Sequence, residues 1–177
     1  SWHVYVSDPR QVLEVETQTR EMLDSFGFEN AESILDEWNY VKGWNNDEWL
    51  YSLRTEKSIK GAAFTAAVMF ESQYRPLDML MYYDARPCSM NGLFATDYVC
   101  DRLKGYYPFR MFNELVKLGD SLKTESDCDK LFSCAAKSEN AMAFVVAYFD
   151  DDNNAEEKEV KISFENIGAK KRKVSYF

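Results

Sequence analysis

The stretch Leu77-Asp78-Met79-Leu80-Met81-Tyr82-Tyr83 carries apolar side chains at both strand parities, and this constrains the fold more than any other feature. A strand packed on one face alternates apolar and polar positions. A strand apolar at both parities is expected in a parallel sheet covered on both sides. Parallel strands need crossover connections, so helices are expected between them.

The preceding chain supplies these. Ser1–Tyr5 reads as the end of a strand. Asp8-Pro9-Arg10-Gln11 opens a helix, with Asp8 as the cap, Pro9 in the first turn and Gln11 placed to complete a capping box. Val12, Leu13, Met22, Leu23 and Phe26 mark one apolar side, and Gly27 suits the exit. Ser33–Trp38 reads as the second strand. A loop of Gly, Asn and Trp follows, then a helix predicted from about Thr55 to Tyr74, closed by Pro76. Its Gly61, Ala62, Ala63, Ala66 and Ala67 permit close packing on a sheet. After the apolar strand, a loop with Pro87, Asn91 and Gly92 leads to a helix predicted from about Pro108 to Leu118.

Beyond Asp120 the pattern becomes β. Leu131–Lys137 and Ala141–Phe149 flank Ser138-Glu139-Asn140 as a hairpin, and Val160–Phe164 and Val174–Phe177 continue the pattern around Asn166-Ile167-Gly168. The expected fold class is α/β followed by all-β, with residues 1–122 as three strand-helix units and 123–177 as part of a β-sandwich. Three such units cannot close an eight-stranded barrel, which takes roughly 250 residues. The chain is therefore expected to be a fragment, completed by the remainder of a barrel or by a companion chain.

A formal net charge of -9 argues against nucleic acid or an anionic membrane as partner, and no apolar run is long enough for a transmembrane helix. The basic run Lys170–Lys173 reads as a solvated hairpin. Cys88, Cys100, Cys128 and Cys134 form no CxxC pair and lie far from the single histidine, so no metal site is expected. Pairing of Cys88 with Cys100 and buried free thiols both remain open.

Glu37 is the candidate for chemistry. It stands at the carboxy end of a predicted parallel strand, where strand-helix barrels hold their active sites. A carboxylate there suits attack on an anomeric carbon, where positive charge develops. Spacing alone favours an ordinary exposed glutamate at a strand end. Trp38 and Asn39 follow, Asn39 being able to orient the carboxylate or a sugar hydroxyl. Asp36, of opposite parity, is expected to face the helices. His3 and Tyr5 share one face of the first strand. Tyr83, Asp84 and Arg86 follow the third, with stacking and hydroxyl binding set against barrel packing and a turn.

Phe28–Tyr40 (FENAESILDEWNY) resembles the seventh-strand nucleophile segment of clan A glycosidases, and is most similar to glycoside hydrolase family 39, which includes β-xylosidases and α-iduronidases. Ser1–Tyr5 resembles that clan's sixth strand and LMYYDARP its eighth. Lys104–Phe109 with Leu118-Gly119 resembles its last barrel helix, and the β tail the family's accessory sandwich. The resemblance implies a retaining glycosidase with Glu37 as nucleophile. It implies a glycoside substrate bound by His3, Tyr5, Trp38, Asn39, Tyr83 and Asp84, and no metal or organic cofactor. The family's acid/base glutamate lies in an Asn-Glu motif ending the fourth strand, which this chain does not contain. Glu29 and Glu32 precede the Glu37 strand and are no substitute. Asp36–Asn39 also resembles the nucleophile segment of family 51 arabinofuranosidases, and a non-catalytic carbohydrate-binding piece is the rival of another class.

Overall fold

The computed structural model describes residues 1–97, 99–166 and 175. Strands β1 (Trp2–Val6), β2 (Ile34–Tyr40) and β3 (Met79–Tyr82) form a parallel sheet in the order β1-β2-β3. Helix α1 (Pro9–Ser25) links the first two strands, and α2 (Asn46–Thr55) with α3 (Ile59–Ser72) links the next two. Helix α4 (Tyr106–Val116) leads to an antiparallel sheet of β4 (Asp120–Leu122), β5 (Leu131–Lys137) and β6 (Met142–Tyr148). This second sheet begins at Asp120, slightly ahead of the expected boundary at 122.

Helix α3 lies between the two sheets, and its sequence suits that place. Ser58 caps it by accepting from the amides of Lys60 and Gly61. Gly61, Ala62, Phe64 to Phe70 and Ser72 are all buried, as a helix surrounded by protein requires. A side chain on Gly61 would collide with the backbone of Thr55 and Glu56. Leu35, Trp38 and Tyr40 of β2 meet Phe64 in one core cluster with Phe132, Ala147 and Phe149 of the tail.

Several elements differ from expectation. The helix predicted from Thr55 to Tyr74 is α3, starting at Ile59, and a further helix, α2, occupies the stretch ahead of it that was expected to be a loop. Asn45 accepts from the Glu48 amide to cap α2, and Asp47 and Glu48 stand in its first turn. Asp8 caps α1 through the Arg10 amide, without a reciprocal Gln11 side-chain bond. Met22 and Phe26 are exposed while Val12 and Leu13 are buried, so the apolar side of α1 is buried only near its start. Gly27 takes a left-handed turn at φ +81°. Met79 and Met81 are exposed, so β3 is not covered on both faces. Val160–Phe164 forms no strand, although Phe164 meets Phe144 edge-on. Residues 167–174 and 176–177, which include the basic run and most of the last predicted strand, lie outside the described residues. All four cysteines are free thiols.

β2 contains one residue more than either neighbour can match. Trp2 pairs with Leu35 and the next residue, His3, pairs with Glu37, whereas Leu35 and Trp38 pair with Leu80 and Tyr82. The extra residue is a β-bulge at Asp36. It lets Leu35 and Trp38, three apart, both face α3, and it corrects the expected place of Asp36. Deleting Asp36 should leave Leu35 and Trp38 two apart, with correct parity on both edges. We predict that this deletion variant folds, with near-native circular dichroism and cooperative unfolding. Loss of folding would mean that the bulge is needed for packing.

The tail is clamped to the end of β2. Tyr40 donates to Asp151 Oδ1 at 2.6 Å, and Lys42 pairs with the same carboxylate. Lys60 Nζ donates to the Asp151 carbonyl at 2.6 Å and to Asn153 Oδ1 at 2.7 Å. Burial would raise Asp151, but the bonds from Lys42 and Tyr40 and the lysine charges outweigh it and hold the carboxyl below its ordinary value.

Glu56 and Glu16 are buried carboxyls that form no salt bridge among the described residues. Glu56 is 1% exposed and neither of its oxygens has a hydrogen-bond partner among the described residues. Burial pushes it up to about 8, against a small opposing pull from Lys57. Burial lifts Glu16 to about 7, although the Ser72 hydroxyl donates to it at 2.8 Å. Between the ordinary value of 4.5 and these raised values, the folded state holds protons that the unfolded state has released. Their contribution to stability is full below pH 4.5 and is lost as pH rises through about 7 and 8. We predict that denaturation midpoints fall across this window, with a limiting slope of about 1.4 kcal/mol per pH unit for each carboxyl. Glu56→Gln should flatten the upper part, and an unchanged pH profile in that variant would refute the assignment.

Candidate functional site

The bulge sets the geometry of the open face of the parallel sheet. In a parallel pair, residues in register point the same way, so His3 lies beside Glu37 and Tyr5 beside Asn39. Trp2, Val4 and Val6 take the opposite face, toward the helices. Their core contacts there agree with this assignment.

Three side chains converge as parity predicts. The Tyr5 hydroxyl donates to Glu37 Oε2 at 2.6 Å, and His3 Nδ1 lies 3.1 Å from the same oxygen. On its other side, the imidazole places Nε2 3.4 Å from Asp36 Oδ1. The bulge therefore brings two consecutive carboxylates to one histidine. Glu37 remains accessible, its side chain 33% exposed. Burial, followed by the hydrogen bond to Glu37, pushes the Tyr5 phenol upward, so it stays protonated and acts as a donor.

Aromatic rings border this carboxylate. Tyr83, just beyond β3, meets Tyr5 edge-on at 6.3 Å, and Trp44, in the loop after β2, meets it edge-on at 5.9 Å. Trp44 stacks on Trp49 of α2 at 5.3 Å and 17°. Sequence reasoning saw Trp44 only as part of a loop. The signal available was the Trp44-to-Trp49 spacing across the Asn45 cap, which brings the second ring back beneath the first.

The other expected ligand contacts are placed differently. Trp38 is 0% exposed and packed between Phe64 and Tyr82 in the core, because its parity is opposite to that of Glu37. Asn39 shares the open face with Glu37 but is 1% exposed, being covered by the loop after β3. Its Nδ2 donates to the carbonyls of Tyr83 at 2.6 Å and Met90 at 3.2 Å, and its Oδ1 accepts from the Tyr40 amide. Asp84 is 5% exposed and accepts from the backbone and guanidinium of Arg86, whose hydrogen bond holds the carboxyl below its ordinary value. It is a turn residue, and Arg86 is the exposed member of the pair.

This arrangement offers an accessible carboxylate held by a phenol donor, beside an imidazole and within an aromatic border. Such a group can serve as nucleophile, general base or hydrogen-bond acceptor. Among the described residues, no group of three or more His, Cys, Asp or Glu side chains could hold a metal ion. A separate cleft of about 650 Å³ lies between α1 and the tail, lined by Arg10, Glu14, Glu71, Arg75, Asp129 and Phe132 among others, away from Glu37.

Asn39 offers a direct test of how the site is supported. Asn39→Ala would leave two carbonyls and one amide without their partner. We predict a loss of about 2–4 kcal/mol in urea unfolding, given about 1–3 kcal/mol for each buried group left unsatisfied and some rescue by water. A loss below about 1 kcal/mol would show that the loop after β3 does not depend on Asn39.

No family model matches the chain, and no curated protein matches it. Among solved structures, it is similar to a glucosidase from Croceicoccus marinus, with a TM-score of 0.66 at 16% identity. The match covers 84% of this chain and 32% of that one, so the chain spans about a third of the length of the structure it resembles. At this identity the likeness is one of fold: the chain shares the mixed α/β architecture of a glycosidase structure.

Proposed function

We propose that this chain is the nucleophile-bearing part of a retaining glycoside hydrolase. The observation that carries the reading is the Glu37 carboxylate, accessible at the middle of β2, which runs on to Tyr40 beyond the predicted strand end, held by the Tyr5 hydroxyl and bordered by aromatic rings. The glycosidase fold likeness supports it, as do the sequence segments that resemble clan A.

In this reading the three parallel strands are the last three of a (β/α)8 barrel, and the antiparallel sheet belongs to an accessory sandwich. A Glu37 oxygen attacks the anomeric carbon as the bond to the leaving oxygen breaks. That oxygen takes its proton from a carboxylic acid supplied by the remainder of the barrel, in retaining enzymes about 5–5.5 Å from the nucleophile. Water, deprotonated by the same group, then attacks the glycosyl ester and releases Glu37. Tyr5 donates to the carboxylate before attack and to the freed oxygen afterwards, which fixes the direction of the attacking lone pair. The substrate class is a β-xyloside or a related plant-type glycoside, or an α-L-arabinofuranoside.

The test uses the full-length protein and aryl 2-deoxy-2-fluoroglycosides of xylose and arabinose, which form the glycosyl ester and release it slowly. Peptide mapping should place the added sugar on Glu37. Glu37→Gln keeps the shape but cannot form the ester, and should lower kcat by at least about a thousandfold while leaving folding intact. A label on another carboxylate, or unchanged turnover in the variant, would overturn the assignment.

A further inference from the structure

The covalent chemistry of Glu37 makes no use of the paired indoles beside it. Trp44 is 65% exposed, whereas Trp38 is fully buried. It is nevertheless held in place: one face stacks on Trp49, and Tyr5 meets it edge-on. Its exposed area therefore belongs chiefly to the remaining face of a fixed ring. Tyr5 joins that ring to the site, because its hydroxyl is the donor to Glu37.

We infer that Trp44 is a stacking platform for a sugar ring of the glycoside that reacts at Glu37, and that it determines affinity and specificity. The inference rests on the reading of Glu37 as a glycosidase nucleophile. A sugar ring has an apolar C–H face and a rim of hydroxyls. The apolar face covers an indole without stranding a polar group. The rim needs donors and acceptors, which His3, Tyr5 and the free oxygen of Glu37 provide within the same border. A protein segment would call for a broader apolar surround, whereas the neighbours here are a carboxylate, a phenol and an imidazole. Trp49 fixes the platform before the ligand arrives, so little side-chain freedom is lost on binding.

The experiment compares Trp44→Ala and Trp44→Phe in the full-length protein, using whichever aryl xyloside or arabinofuranoside the wild type hydrolyses. Trp44→Ala should raise KM about tenfold, with a smaller change in kcat, as expected when one apolar contact face is lost. Trp44→Phe should recover most of that loss. Separately, N-bromosuccinimide should oxidise Trp44 in the free protein, and xylose or arabinose at saturating concentration should protect it. This second readout decides the matter if the alanine variant fails to fold or no aryl glycoside is turned over. Unchanged KM in both variants, or equal oxidation with and without sugar, overturns the platform. Trp44 shielded from the reagent in the absence of sugar also overturns it, since polypeptide would then cover the ring. Turnover that survives Glu37→Gln sinks the assignment of Glu37 as nucleophile instead, so the two failures are separable.

Discussion

The site depends on a packing demand in one strand. Leu35 and Trp38 are both fully buried against the helical layer, yet residues three apart in a regular strand point to opposite faces. Burying both side chains requires an extra residue, and the sheet accommodates it by leaving Asp36 without a register partner on either side. The result is chemical as well as structural. Asp36 and Glu37 both reach His3, and Glu37 is set beside β1 in register with His3. A hydrophobic requirement on one face thereby determines the electrostatic arrangement on the other.

From that point the site is built by neighbours with single tasks. Tyr5 reaches Glu37 because two residues along β1 return its side chain to the same face as His3. Asn39 repeats the parity of Glu37 but turns inward to bind the loop after β3, so one strand supplies both an exposed carboxylate and the anchor of its adjoining loop. Asp84 and Arg86 close that loop on themselves.

Much of this was legible in the residues. The alternation of apolar strands and capped helices gave the parallel sheet, and Ser138-Glu139-Asn140 gave the hairpin, whose strands β5 and β6 pair throughout. Parity placed His3 and Tyr5 on one face of β1, and the register sets that face beside Glu37. Asp36 was misplaced because a bulge has no residue-type signature, although the spacing of Leu35 and Trp38 carried the necessary information. Trp38 and Asn39 were assigned to a ligand by adjacency to Glu37, where parity already sent Trp38 to the core. Helix α2 was missed because Gly43, Trp44 and Asn45 read as a loop, while Asn45 is its cap. Val160–Phe164 has the apolar pattern of a strand but no ladder partner among the described residues, and a strand exists only by pairing.

The Asp151 clamp joins two regions that the chain order keeps far apart. Tyr40 stands three positions after Glu37 on the same strand, and its hydroxyl ends on the tail. Lys42 and Lys60 converge on the same short turn from the loop after β2 and from α3. The antiparallel sheet is thus not an independent module that could be exchanged freely between related chains. A chimera that replaced the tail while omitting Asp151 and Asn153 would leave the hydroxyl of a fully buried tyrosine without its carboxylate acceptor and the Lys60 ammonium with only the Tyr51 hydroxyl, at the end of the strand that bears Glu37. The two sheets should consequently diverge together, with the turn at 150–153 as the joint that any transplant must carry.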